Sequence, residues 1–418
     1  MNTPSLRELT RVFARIGVMS FGGPAAQIAV MHRELVDDRP WLSEQQFLNA
    51  LSFCMLLPGP EAMQLCTYAG WRLRGVTGGL IAGLLFTLPG ALVMLALVWA
   101  YATWGALPLA EALFLGIKAT VAIVVLQALL RLSGKALKSR DRYVLAVLSF
   151  GALFALNAPF PLIIALAATY GALTATGDHS ATAAPPLKAR TPRTIALWLG
   201  LWWAPIATAW ALGADTLAAI GLFFSKLAVV TFGGAYAVLA YMTQEVVETN
   251  HWLTTPQMMD GLGLAETTPG PLILVTEFVG FMAGHNAAGP GLALAAAALT
   301  LWVTFVPCFL WIFTAAPYVE WISTRPRLTG ALSAITAAVV GVIANLSLWF
   351  ALHVFFDQVT RADLGPLSPA WPIWSSFNAP ALGLAVMAAY LLLRLRLSLP
   401  LALVFMAAAG AGLGVMTG

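Results

Sequence analysis

The stretch from Phe21-Gly22-Gly23 to Pro58-Gly59-Pro60 recurs in the same chain as Phe232-Gly233-Gly234 to Pro269-Gly270-Pro271. Both ends are displaced by 211 residues (232 − 21 and 269 − 58), so the copies align without a gap. Inside them Glu34 falls on Glu245, and Trp41-Leu42 on Trp252-Leu253. Just upstream, Arg15 falls on Lys226 and Ser20 on Thr231. A cation, a hydroxyl, a Gly-Gly break and a Pro-Gly-Pro break thus recur in one order. Two unrelated apolar segments would not share that order, so the chain is read as an internal duplication.

The surroundings are those of a membrane protein. Of 418 residues, 60% are hydrophobic and 10% charged, with a mean hydropathy of +0.83. Soluble domains carry about 25% charged residues. Apolar runs such as 78–100 and 107–130 reach the roughly 20 residues that a helix needs to cross the hydrocarbon core. Strands of a membrane β-barrel would alternate polar and apolar positions, and these runs do not. The reading is an all-α polytopic membrane protein. The net charge of +4 fits basic cytoplasmic loops, and no basic domain offers itself to nucleic acid. Cys54, Cys66 and Cys308 are scattered through apolar segments and predict neither a disulfide framework nor a metal site. The opening residues predict no removable signal peptide.

Taken in order, residues 5–18 predict a helix with Arg7, Arg11 and Arg15 at helical spacing, broken at Phe21-Gly22-Gly23-Pro24. A second piece runs to about Val36. Ser43 predicts an N-cap for a helix reaching about Leu56. Pro58-Gly59-Pro60 breaks that helix before another piece to Trp71. Spans at 77–101, 107–132, 143–157 and 161–174 follow, the last two as a hairpin around Asn157. The polar stretch 177–193 is the expected linker, and 195–212 is a span with no partner in the first half. The pattern then repeats with breaks near 232 and 269, followed by spans at 291–319, 328–355, 380–393 and 399–415. The offset there grows to 218, with Pro89 on Pro307 and Gln127 on Asn345. The seven added residues are expected in a loop at 284–289. A Pro- and Trp-rich loop at 358–378 is expected at the membrane interface. The division is residues 1–176, a linker plus unpaired helix at 177–215, and residues 216–418.

Loop charge sets orientation, because Lys and Arg mark cytoplasmic loops. In the first half the basic loops are Arg72/Arg74 and 131–142, whereas 103–107 and 157–160 have no Lys or Arg. In the second half, the counterparts of those two neutral loops hold Arg325/Arg327 and Arg394/Arg396, and 284–289 has neither. The halves are therefore expected upside down relative to each other, with about 13 membrane segments, some broken or re-entrant. The N-terminus is expected in the cytoplasm and the C-terminus outside. Inverted repeats with broken helices are the architecture of secondary transporters.

Breaks at membrane depth persist only where they are buried in protein or line a cavity. A helix restarting at Pro60 or Pro271 presents free N–H groups and a positive dipole end to an anion. The candidate site comprises Arg15, Ser20, Phe21, Gly22 and Gly23 with Pro58, Gly59, Pro60, Glu61 and Gln64. Its second-copy members are Lys226, Thr231, Phe232, Gly233 and Gly234 with Glu266, Thr267, Thr268, Pro269, Gly270 and Pro271. The glycine pairs form a nest of backbone N–H groups, Arg15 and Lys226 add charge, and Ser20 and Thr231 add hydroxyls. Against this, Pro and Gly are common as plain kinks in membrane helices, and Arg15 can snorkel to the headgroups with Arg11. Lys226 stands among apolar neighbours, and intramembrane ionisable residues are functional candidates. Glu61, Glu266 and Glu277 are either proton carriers or salt-bridge partners of the cations. Lys118 has no charged counterpart (118 + 218 is Thr336) and is either a site residue or a partner of Glu111.

At these motifs the sequence resembles the chromate ion transporter family in its long two-domain form. The resemblance rests on Phe21-Gly22-Gly23-Pro24, on the run Leu56 to Gln64 through Pro58-Gly59-Pro60-Glu61, and on Ala265-Glu266-Thr267-Thr268-Pro269-Gly270-Pro271. It spans essentially the whole chain. It implies a secondary transporter of the plasma membrane that exports chromate and lowers its cytoplasmic level. Sulfate, another tetrahedral dianion, is the alternative substrate. The second Phe-Gly-Gly is followed by Ala235 rather than proline, so the two cradles need not contribute equally. A passive anion channel is the alternative mechanism, and no nucleophile or metal constellation suggests an enzyme. The expected partners are the anion and the lipid bilayer, with a homodimer compatible and no cofactor required.

Overall fold

The computed structural model describes residues 4–21, 23–175, 191–232, 235–319, 325–362, 365 and 367–417. Residues 177–190 of the expected linker, and Gly22, Gly233 and Gly234 of the expected site, lie outside the described residues. The molecule is an all-α polytopic membrane protein, with sixteen α-helices among the described residues.

Helix ends follow local chemistry. Ser5 caps α1 (Leu6–Met19) by accepting from the Glu8 N–H. Its buried positions Leu9, Val12, Phe13 and Ile16 form one face at helical spacing. A turn with φ +80° at Gly23 opens α2 (Gly23–His32). Ser43 and Gln46 form a reciprocal capping box at the start of α3 (Glu44–Cys54). The 44-residue α4 (Glu61–Trp104) is two limbs folded back at Arg74 and Gly75, where Gly75 has φ 62°. Proline at the first turn opens α5 (Pro108–Ala136). Asn157, in the left-handed region, joins α6 (Arg140–Leu156) to α7 (Phe160–Thr174), as the hairpin reading expects.

In the second half, α8 (Thr191–Ala211) and α9 (Asp215–Val230) precede the second break. Then come α10 (Ala235–Thr243), α11 (Thr255–Thr267), α12 (Val275–Ala288), α13 (Pro290–Ala315), α14 (Pro326–Phe355), α15 (Ala379–Ala389) and α16 (Leu399–Thr417). Five stretches are long and apolar enough to cross a membrane: α4, α5, α8, Pro290–Tyr318 and α14. Shorter apolar helices lie at Phe160–Thr174, Leu272–Ala288, Ala379–Arg394 and Leu399–Gly414.

Two expectations change. Residues 284–288 are helical, and the turn between α12 and α13 is Gly289 alone, at φ +81°. Relative to Gly75 in the first copy, three of the seven added residues precede this turn (289 − 271 against 75 − 60) and four follow it (307 − 289 against 89 − 75). The insertion therefore lengthens both limbs of a helical hairpin by about one turn each. The stretch expected as an interfacial loop contains a short antiparallel pair, β1 (Val359–Arg361) with β2 (Ala370–Pro372).

The chain forms two compact units. The first is Met1–Val98, Thr176–Ala235 and Thr268–Thr329, in which α13 packs against α12, α9 and α8. The second is Trp99–Ala175, Tyr236–Thr267 and Gly330–Gly418, in which α5 packs against α16, α15 and α11. Each unit takes segments from both halves of the sequence.

Candidate functional site

In the first unit the two breaks are tied to each other crosswise. The Gly59 N–H of the first Pro-Gly-Pro donates to the Thr231 carbonyl at 2.9 Å, at the end of α9. The Gly270 N–H of the second donates to the Ser20 carbonyl at 2.7 Å, at the end of α1. Gly59 and Gly270 are equivalent positions in the duplication, as are Ser20 and Thr231. The same bond therefore occurs twice with the copies exchanged. Both glycines have positive φ, +115° and +84°. A side chain is strained in that region, which accounts for glycine at both places.

The hydroxyls obey the same correspondence. Ser20 Oγ donates to the Ile16 carbonyl and Thr231 Oγ1 to the Leu227 carbonyl, each at 2.6 Å. Both residues are buried. The hydroxyl protons are thus spent on the preceding helical turn, a common bond for Ser and Thr in apolar helices. In this conformation neither hydroxyl is a donor toward an anion, which differs from the expected role.

Between the breaks lies a small cleft lined by Pro24, Gln27, Pro60, Glu61, Thr231, Pro271 and neighbouring apolar residues. Its cavity volume is about 10 Å³, room for roughly one water. A tetrahedral oxyanion does not fit the cleft in this conformation. The N–H groups of Glu61, Ala62 and Met63 open α4, and the first helical bond behind them is Gln64 N–H to the Pro60 carbonyl at 3.1 Å. First-turn N–H groups, which have no carbonyl behind them in the helix, are the anion-attracting end of a helix.

Two glutamine amides brace the breaks. Gln64 Nε2 donates to the Pro58 carbonyl and Gln27 Nε2 to the Gly270 carbonyl, each at 2.6 Å. The Oε1 atoms of both are buried without a partner among the described residues. Gln27 was not recognisable as a site residue from the duplication, because its counterpart (27 + 211) is the apolar Val238. A lone amide in an apolar helix four residues after Gly23 was the available signal.

The remaining expected residues fall elsewhere. Phe21 is exposed at the end of α1, and Gly23 opens α2. Phe232 is half-buried, Thr268 is buried, and the Pro269 carbonyl packs on Gly90. Arg15 and Lys226 are exposed and do not line the cleft. Arg15 pairs with fully buried Glu34 at 3.3 Å, and Arg39 reaches the same carboxylate at 2.5 Å. Glu266 and Thr267 close α11 in the second unit, where the Tyr236 hydroxyl donates to Glu266 at 2.9 Å. Also in that unit, Lys118 on α5 pairs with Asp260 on α11 at 3.3 Å, and Tyr101 donates to the same carboxylate at 2.9 Å. Lys118 is thus partnered by Asp260, neither of the alternatives the sequence suggested. No metal-holding cluster of His, Cys, Asp and Glu occurs among the described residues.

Comparison with known proteins bears on this geometry. The family model described as "Chromate transporter" matches residues 7–172 and again 218–413. The two matches begin 211 residues apart (218 − 7), the offset of the duplication. The chain is 33% identical to the chromate transport protein of Pseudomonas aeruginosa, over 92% of this chain and 88% of that protein. It is 31% identical to the probable chromate transport protein of Synechococcus elongatus, over 90% of this chain and 93% of that one. It is 30% identical to the chromate transport protein of Cupriavidus metallidurans, over 86% of each. No solved structure matches.

Proposed function

The chain belongs to the chromate transporter family, and from that membership we propose that it exports chromate as a secondary active carrier working by alternating access. It is a multi-pass membrane transporter rather than an enzyme. The observation that carries the finer reading is the crossed pair of hydrogen bonds, Gly59 to Thr231 and Gly270 to Ser20. An equivalent bond at each break gives each copy the same latch. Releasing one while keeping the other is a means of opening the cleft to one side at a time. The helix start at Pro60-Glu61 then receives the anion. Swapped loop charges support inverted halves, 1–176 and 216–418, joined by α8, with the N-terminus in the cytoplasm and the C-terminus outside the plasma membrane.

Lys226 contributes through its field rather than by lining the cleft, since a cation near a low-dielectric site raises the local anion concentration. Arg15, its equivalent, is paired with Glu34. The test is chromate uptake into everted vesicles across a concentration series. Lys226→Gln raises the half-saturating concentration roughly tenfold, about 1.4 kcal/mol, and Lys226→Arg has a smaller effect. Non-saturable entry in the wild type would replace the carrier with a channel.

A further inference from the structure

The cleft between the breaks makes two demands that one ligand cannot meet. The N–H groups of Ala62 and Met63 in the first turn of α4, which have no carbonyl behind them in the helix, call for an acceptor. Gln27 Oε1, 1% exposed as a residue and without a partner among the described residues, calls for a donor. Its orientation is settled, because Gln27 Nε2 already donates to the Gly270 carbonyl. A fully ionised oxyanion supplies acceptors and no donor. A protonated carboxyl supplies the donor. Among the residues that line the cleft, Glu61 is the one with a titratable side chain.

The groups around Glu61 do not neutralise it. On α2 the titratable group is His32, at the far end of the helix from Pro24 and paired with Asp37 and Glu44. On α1 they are Arg7, Glu8, Arg11 and Arg15, on α3 Glu44 and Cys54, and on α4 itself Cys66, Tyr68, Arg72, Arg74 and Tyr101. On α9 they are Asp215 and exposed Lys226, on α12 Glu277 and His285, and on α13 Cys308. None of these lines the cleft, and no ion pair to Glu61 occurs among the described residues. An ionised Glu61 would therefore face an arriving dianion as a like charge in a confined space, where screening by water is weak.

We propose that Glu61 takes up one proton when the oxyanion binds beside it, donates that proton's hydrogen bond toward Gln27, and moves it across the membrane with the anion. One proton is added to the carboxylate on loading and leaves it on release, so each cycle moves one dianion and one proton, a net single negative charge. The proposal rests on the reading that this break is the anion site. It names the coupling ion and its carrier, which that reading leaves open.

The experiment uses the full chain in proteoliposomes, with chromate outside and a pH-sensitive dye trapped within. Chromate itself takes up a proton in weakly acidic solution, so the series runs in the alkaline range. In the wild type the half-saturating chromate concentration rises as pH rises, approaching about tenfold per pH unit for one linked proton. One proton enters with each chromate. Glu61→Gln abolishes the pH slope and the proton signal, and Glu61→Asp retains both. A wild-type half-saturation that is constant with pH, or a Gln variant that keeps the slope, overturns the coupling and leaves the transport reading standing. If Glu61→Gln does not accumulate, the wild-type proton count and the Asp variant decide. Absence of chromate entry at every pH overturns the transport reading and the coupling together.

Discussion

Gly59→Ala and Gly270→Ala each lower chromate transport at least tenfold and destabilise the folded protein by about 2–4 kcal/mol. The expectation follows from backbone geometry. Both residues have positive φ, where an L side chain is strained by about 1–3 kcal/mol. At Gly59 an added Cβ would also lie 2.8 Å from Gln64 Nε2 and 3.0 Å from Cys308 Sγ. At Gly270 it would lie 3.3 Å from the Phe86 carbonyl oxygen. Relief of either contact moves the peptide whose N–H forms the crossed bond, and that bond is worth about 0.5–1.5 kcal/mol. Gly134→Ala and Gly151→Ala are the controls. Both sit in helices with open space where the Cβ would go, so they are neutral or mildly stabilising. Thermal midpoints in detergent and chromate flux on matched protein check the set. If the two break variants behave like the two controls, the Pro-Gly-Pro segments are ordinary kinks.

The second large effect concerns the pair in the other unit. Lys118→Ala leaves the Asp260 carboxylate, 9% exposed, without its cation. Removing one partner of a buried ion pair costs on the order of 3 kcal/mol, because the remaining charge stays desolvated. Lys118 is itself 20% exposed, which places the effect at the lower end of that range. Asp260→Leu is damaging for the mirror-image reason and also removes the carboxylate to which the Tyr101 hydroxyl donates. The double variant Lys118→Met with Asp260→Leu recovers most of the lost thermal midpoint, since apolar replacements often match a buried pair in stability. Equal, additive losses in the double variant would mean that the two side chains are not coupled.

Most of the fold was legible because membrane helices announce themselves by composition, and because the duplication let each copy check the other. The gapless 211-residue offset pointed to the two breaks, and the crossed bonds run between the two pairs that it aligned, Gly59/Gly270 and Ser20/Thr231. The offset was also what hid Gln27. A residue whose equivalent is Val238 carries no mark in a comparison of copies, and its partner Gly270 is far away in sequence. Lys118 was visible as an intramembrane cation, but Asp260 was not connected to it, since nothing local links α5 to α11. The role expected of Ser20 and Thr231 changed for a general reason. Sequence shows that a hydroxyl is present, and the preceding helical turn decides where its proton goes. The added length at Gly289 looked like a loop because insertions usually fall in loops. Ala-rich sequence on both sides of the turn let two helical limbs absorb it.

The most direct test of a carrier built on two crossed latches is counterflow. Purified protein is reconstituted into proteoliposomes preloaded with unlabelled chromate, and entry of labelled chromate is followed with no net gradient of the ion. An alternating-access carrier predicts entry that saturates, that is faster than into empty vesicles, and that is lost in Gly59→Ala and Gly270→Ala. Entry that is linear in concentration and indifferent to internal chromate would contradict the account.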